Sequence, residues 1–222
     1  MKKLLFVIVM LLPLGCSKEA SWDGKPESQW REGLLNSDDV DARRAAAKAL
    51  GEMGSKAKAS VPELVTALKD NDRKVRREAA RALWAMTDGA KDALWELINA
   101  LHDPDPDVRL NAAGALGDIG PDGRFAVAEL GRALKDEKPG VRGEAATSLG
   151  KHGSDSADAV PALIEALQDK DMAVRIAAAS ALGAVGSSAQ SAIPALTEAL
   201  KSNDGDFRGA VKLAIREIQG QD

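Results

Sequence analysis

The chain has no tyrosine, a single cysteine, two histidines and three phenylalanines among 222 residues. The lone thiol, Cys16, excludes any intrachain disulfide. His102 and His152 fall at differently phased positions, which makes a poor metal site, and both are expected to face solvent. Asp103, Asp105 and Asp107 cluster around two prolines. They lack the glycine and the distal glutamate that a calcium loop requires. The glycines do not assemble a phosphate loop; they sit where helices stop. Nor is there a basic excess. Formal net charge is −4, which argues against nucleic acid, whose binding needs a positive face. The residues therefore predict no metal, no cofactor and no active site.

The amino terminus differs from the rest. Lys2 and Lys3 precede the apolar run LLFVIVMLLPLG, and Cys16 follows it. A short basic stretch, an apolar core and a small residue before the cleavage point predict a signal peptide over residues 1–15. The run falls short of the roughly 20 residues of a spanning helix. Gly15-Cys16 resembles the lipobox of bacterial lipoproteins, with Pro13 as the departure, since leucine is usual three before the cysteine. The resemblance implies a lipidated Cys16 and a protein of the bacterial cell envelope. In a diderm host that means the outer membrane or the periplasmic face. Firm anchoring takes two or more acyl chains, because one chain holds only marginally. Removing residues 1–15 leaves 28 basic against 34 acidic residues, a net of −6. Residues 16–26 read as lipidated cysteine and polar tether, with Trp22 expected to fold back on the first helix or stay disordered.

What the chain has in abundance is one phrase. Arg43, Arg76, Arg109, Arg142, Arg175 and Arg208 lie 33 residues apart without insertion or deletion. Leu50, Leu83, Leu116, Leu149, Leu182 and Ile215 keep the same step, as do Leu35, Leu68, Leu101, Leu134, Leu167 and Leu200. Such a period decides the architecture before any local feature does. In PDVRLNAAGALGDIG (106–120), Val108, Ala112, Leu116 and Ile119 fall on one helical face, and Gly120-Pro121 ends the helix. Asp105 is its N-cap, a role repeated by Asp72, Asp171 and Asp204 and broken at Lys138. A second helix is clearest in AVPALIEALQD (159–169). One helix pair cannot bury both of its apolar faces alone, whereas stacked pairs share a core. The expected fold is all-α: a right-handed solenoid of stacked antiparallel helix pairs over 27–219, as half a unit, five full units and half a unit, with 220–222 as a tail.

The phrase D-x-D-x-x-V-R-x-x-A-A-x-A-L-G-x-[IV]-G followed by A-[VI]-P-x-L resembles the short HEAT-like repeats first associated with phycobilisome lyases and common in bacterial proteins. Ankyrin lacks a match because no T-P-L-H phrase occurs, and the tetratricopeptide pattern fails for want of tyrosine. Neither histidine is followed by glutamate, so the iron-holding HEAT-repeat hydroxylases are not matched. The resemblance implies an aspartate–arginine ladder along the stack, with Asp70/Arg76, Asp103/Arg109, Asp136/Arg142 and Asp169/Arg175 at a spacing of six, and Ser37 and Ser202 replacing the aspartate at the ends.

Departures from the repeat are the candidate recognition residues. Trp84 stands where other full units have glycine, and Trp95 where they have proline or alanine. Tryptophan is enriched in binding hot spots. Glu96, Asn99, Arg132 and Glu165 belong to the variable outer column of the second helices. The expected function is a monomeric, non-catalytic protein-interaction scaffold held to a membrane by lipid, with a protein partner and no nucleic acid. The alternative is an accessory lyase or isomerase, by kinship with the bilin lyases.

Overall fold

The computed structural model describes residues 19–220. Residues 1–18, to which the signal-peptide and Cys16 lipidation expectations refer, lie outside the described residues, as do 221 and 222.

The stretch expected to be a tether is folded from Glu19 onward. Strand β1 (Ser21–Trp22) pairs antiparallel with β2 (Lys25–Pro26). Asp23 and Gly24 supply the two positive φ angles, 50° and 73°, that a tight hairpin turn needs. Trp22 meets Trp30 edge-on at 5.7 Å, and the Trp30 indole N–H donates to the Trp22 carbonyl. Trp22 is thus folded back, as one of the two expectations had it. The hairpin covers the first helix, α1 (Glu27–Asn36).

Five helix pairs follow: α2 (Val40–Met53) with α3 (Val61–Ala67), α4 (Arg73–Ala85) with α5 (Leu94–Ala100), α6 (Pro106–Asp118) with α7 (Val127–Ala133), α8 (Pro139–Lys151) with α9 (Val160–Ala166), and α10 (Met172–Val185) with α11 (Ile193–Ala199). α12 (Gly205–Gln219) closes the stack. First helices pack on first helices, α2 on α4 through to α10 on α12. A 3₁₀ segment links the two helices of each pair, which shortens the second helix to seven residues. The run Met172–Ala199 is apolar and long enough to cross a membrane by composition. Its φ of 69° at Gly186 divides it, and Leu182 and Leu196 lie wholly buried in the core.

The leucines at the centre of the first helices, Leu50, Leu83, Leu116, Leu149 and Leu182, are completely buried. Each contributes about 1.5–3 kcal/mol relative to exposure. Alanines and glycines set how closely the layers approach. A methyl group at Gly150 would sit 3.2 Å from the Cα of Ala181, so a larger residue there would push α8 and α10 apart. Aspartates 39, 72, 105, 171 and 204 cap the first helices with their carboxylates. α8 begins without such a cap, at Pro139, whose missing N–H suits the first helical position.

His152 is not the solvent-facing residue expected. Its column is Met53, Met86, Ile119, His152, Val185 and Ile218, an apolar position at the end of each first helix. The imidazole is half-buried, and a Cβ at Gly123 would overlap it, so the neighbouring unit has given up its alanine to admit the ring. Nε2 is buried with no hydrogen-bonding partner among the described residues. Burial pushes the imidazole below its ordinary 6.5; the Leu116 carbonyl, Asp155 and Asp118 pull it up and Lys151 pushes it down, with burial prevailing.

The helix-ending position has φ between 54° and 84° at Gly54, Gly120, Gly153 and Gly186, but Thr87 holds it in the second unit at 48°. A β-branched residue is strained there by about 1–3 kcal/mol, against roughly 0.5–1 kcal/mol of chain entropy that glycine would add. Thr87→Gly should therefore stabilise the protein by about 1 kcal/mol, read as a raised melting temperature. For His152, a folded value below the unfolded one means that only the unfolded chain gains a proton just below pH 6.5. Stability present at neutral pH should fall as the pH drops through the interval beneath 6.5, before the carboxylates titrate. His152→Met should flatten that fall in urea midpoints measured at neutral and mildly acid pH.

Candidate functional site

Each ladder arginine is placed by the helix that carries it, one turn in from an N-cap. From there the guanidinium reaches two neighbouring turns at Arg43, Arg76, Arg109 and Arg142. Arg76 donates through Nη1 to the backbone carbonyls of Asp70 and Asn71, and through Nε and Nη2 to both carboxylate oxygens of Asp103 at 2.7 and 3.0 Å. The spacing of six thus describes a contact to the aspartate's carbonyl. The carboxylate belongs to the arginine 27 residues earlier. Arg43–Asp70, Arg109–Asp136 and Arg142–Asp169 repeat the fork. Each of these aspartates also accepts the N–H two residues on, at Asp72, Asp105, Lys138 and Asp171. One residue therefore folds the turn and joins two units.

Bidentate pairing of this kind is strong and directional, and here it is sheltered: Arg109 and Arg142 are buried. The Arg142 fork holds the Asp169 carboxyl below the usual carboxylate value. At Asp136, burial alone would raise the value, but Arg109, the Lys138 N–H and Arg142 together outweigh it. Arg175 and Arg208 are the exceptions. Arg208 donates to the Ser202 carbonyl and has no carboxylate partner among the described residues. Arg175 donates to the Asp169 carbonyl, yet the position 27 residues ahead is Ser202, and no carboxylate pairs with it among the described residues.

Trp84 is a packing residue. Its indole lies over Gly114 of the next unit, where any Cβ would overlap the ring, and its Nε1–H donates to Asp118 at 2.7 Å. Asp118 also binds Lys151 at 2.8 Å, so three units are linked through one carboxylate. The glycine at 114 replaces Lys48, Arg81, Thr147 and Ser180 of its column, a signal in the sequence that partners the tryptophan.

Trp95 is different. It is 62% exposed and lies 6.2 Å, centroid to centroid, from Phe125, which is 51% exposed. The Arg124 guanidinium rests on the Phe125 ring. Sequence reasoning passed over Phe125, although its column otherwise holds Ala59, Asp92, Asp158 and Ser191. The structure thus brings two departures from the repeat, from consecutive units, into one exposed aromatic pair. Of the remaining candidates, Asn99 and Arg132 are exposed, Arg132 pairing with Glu129 on its own helix. Glu96 lies 3.9 Å from Lys69, and Glu165 lies 2.8 Å from Lys135. His102 reaches Glu129 at 3.2 Å. The second-helix face is laced with ion pairs that cross from unit to unit. Being exposed, such pairs contribute little to stability. Among the described residues no group of three or more His, Cys, Asp or Glu is arranged to hold a metal ion.

Comparison with known proteins bears on the fold and the family. No curated protein matches the chain. Among solved structures, an engineered protein aligns with a TM-score of 0.72 at 25% identity, covering 88% of this chain and 97% of its own. A designed armadillo repeat protein in complex with a (KR)4 peptide aligns with a TM-score of 0.73 at 19% identity, over 86% and 98%. The complex of CpcE and CpcF of phycocyanin lyase from Nostoc sp. aligns with a TM-score of 0.64 at 25% identity, over 93% and 81%. The family model for HEAT repeats matches residues 27–99, 94–158 and 154–216, nearly the whole described stack. With its equal helix pairs, shared core and repeated arginine forks, this chain belongs to the HEAT-repeat family.

Proposed function

We propose that the protein is a non-catalytic interaction scaffold of the bacterial cell envelope, held to its membrane by lipid on Cys16. The Trp95–Phe125 pair carries the interaction half of this reading. Two large aromatic side chains are left to solvent at one junction, while the remaining tryptophans are packed: Trp84 against Gly114, and Trp22 against Trp30. Exposed, adjacent aromatics flanked by an arginine have the composition of a binding hot spot. Asn99 and Arg132 offer polar groups on the same face. The leader and Gly15-Cys16 support the anchoring half. An accessory lyase is the second reading, favoured by the likeness to the phycocyanin lyase complex. Export weighs against it, since bilin lyases serve cytosolic antenna proteins.

Replacing Trp95 with a photo-crosslinking amino acid in intact cells should yield one discrete adduct, with none from the same group placed at Lys212. The double variant Trp95→Ala/Phe125→Ser should reduce recovery of that partner about tenfold, the loss of a modest hot spot, with little change in melting temperature. A loss of about 3 kcal/mol in stability would instead mark the pair as packing residues. For the anchor, a palmitate analogue should label the wild type and not Cys16→Ser. Equal labelling would remove the lipid from the reading.

A further inference from the structure

We infer that the fifth rung of the arginine ladder is a receptor for a carboxylate supplied by another molecule. At four rungs the guanidinium fork is filled by the chain's own aspartate: Asp70, Asp103, Asp136 and Asp169. At the fifth, Arg175 faces Ser202. The serine preserves the turn, because its Oγ accepts the Asp204 N–H at 3.2 Å just as each aspartate accepts the N–H two residues on. It is too short to reach the guanidinium. Ser37 makes the same replacement at the opposite end of the stack, but the position 27 residues before it falls in the leader, so no ladder arginine is left waiting there.

Arg175 is nevertheless held in place, sharing with the other rungs only its bond to the carbonyl six residues back. Nη1 donates to the Asp169 carbonyl, Nη2 lies 3.2 Å from the Met172 sulfur, and the guanidinium stacks over Phe207 at 5.7 Å. Phe207 occupies a column that is valine at 75, 108, 141 and 174, so the ring is a local addition beneath this one arginine. Thioether sulfur is a weak acceptor, and it leaves the fork without an anion. Beside it is a depression of about 370 Å³ whose walls include Arg175, Ser202, Phe207 and Lys201. Similar depressions at Arg43 and Arg142 contain Asp70 and Asp169 in their walls, so there the arginine is already paired. Glu198 also lines this depression, but its carboxylate is paired with Lys201 at 2.6 Å and makes no ion pair with Arg175.

The geometry of the four filled rungs defines the ligand. It is a planar carboxylate entering edge-on, accepting from Nε and Nη2 of Arg175, with the Ser202 hydroxyl free to donate. Both the terminal carboxylate of a peptide and an Asp or Glu side chain carry that group.

The test is arginine Nε–Hε nuclear magnetic resonance on the full chain in detergent micelles, with the Arg175 signal assigned by its loss in Arg175→Lys. N-Acetylglycine should shift that signal saturably, and N-acetylglycinamide should not. Ser202→Asp, which restores the missing rung, should move the Arg175 signal without ligand and weaken the response to N-acetylglycine about tenfold or more, as expected for loss of a charge-assisted pair. Two tripeptides then separate the sources, one with only a free terminal carboxylate and one with an aspartate and an amidated end. A stronger response to either supports the site and names its source. Equal shifts at every arginine, an equal response to the amide, no saturable shift, or a response unchanged in Ser202→Asp would each overturn the inference.

Discussion

The structure depends on one joint, the arginine that holds two turns at once. Its Nη1 closes the turn at the start of its own helix, and its remaining edge grips the aspartate of the turn ahead. Apolar burial alone would let adjacent layers slide or rotate, because leucine and alanine surfaces are not directional. A bidentate fork at 2.6–3.1 Å is directional. The hydrophobic columns provide most of the adhesion; the forks fix one layer relative to the next. This explains why the period of 33 holds without a single insertion: a residue added between a fork and its aspartate would break the joint.

Substitution within such a stack is tolerated when the neighbouring layer changes with it. Trp84 displaces a glycine, and Gly114 clears the space for its indole. His152 enters an apolar column, and Gly123 admits the ring. Interiors pack too tightly for either change to be made alone. Thr87 has no such compensation, because its difficulty is its own backbone angle and lies in no contact that a neighbour could relieve.

These cases mark how far the sequence could be read. The 33-residue step, the N-caps and the helix-ending glycines made the helix pairs and their stacking legible, since each is a local property that recurs along the chain. The ladder was half legible. Spacing along the chain showed arginine and aspartate six apart, but the carboxylate contact spans 27 residues and follows from the stacking geometry alone. His152 reads as exposed from its residue type alone, whereas its column of methionine, isoleucine and valine marks an interior position. Phe125 was passed over for a related reason. It lies on the 3₁₀ segment (Pro121–Ala126), outside the helical face being compared, and its meeting with Trp95 arises only when two units are laid side by side.

The missing fork at Ser202 also gives the stack a direction. At the amino end the layers are clamped twice, by the Arg43–Asp70 joint and by a hairpin whose tryptophan leans on α1. At the carboxyl end α12 is held to its neighbour by apolar contact and by backbone-directed bonds, without a charged fork between the last two first helices. In a molecule whose layers touch only their neighbours, opening begins at the weaker end. Under load or heat the stack peels from α12 toward the hairpin-covered α1.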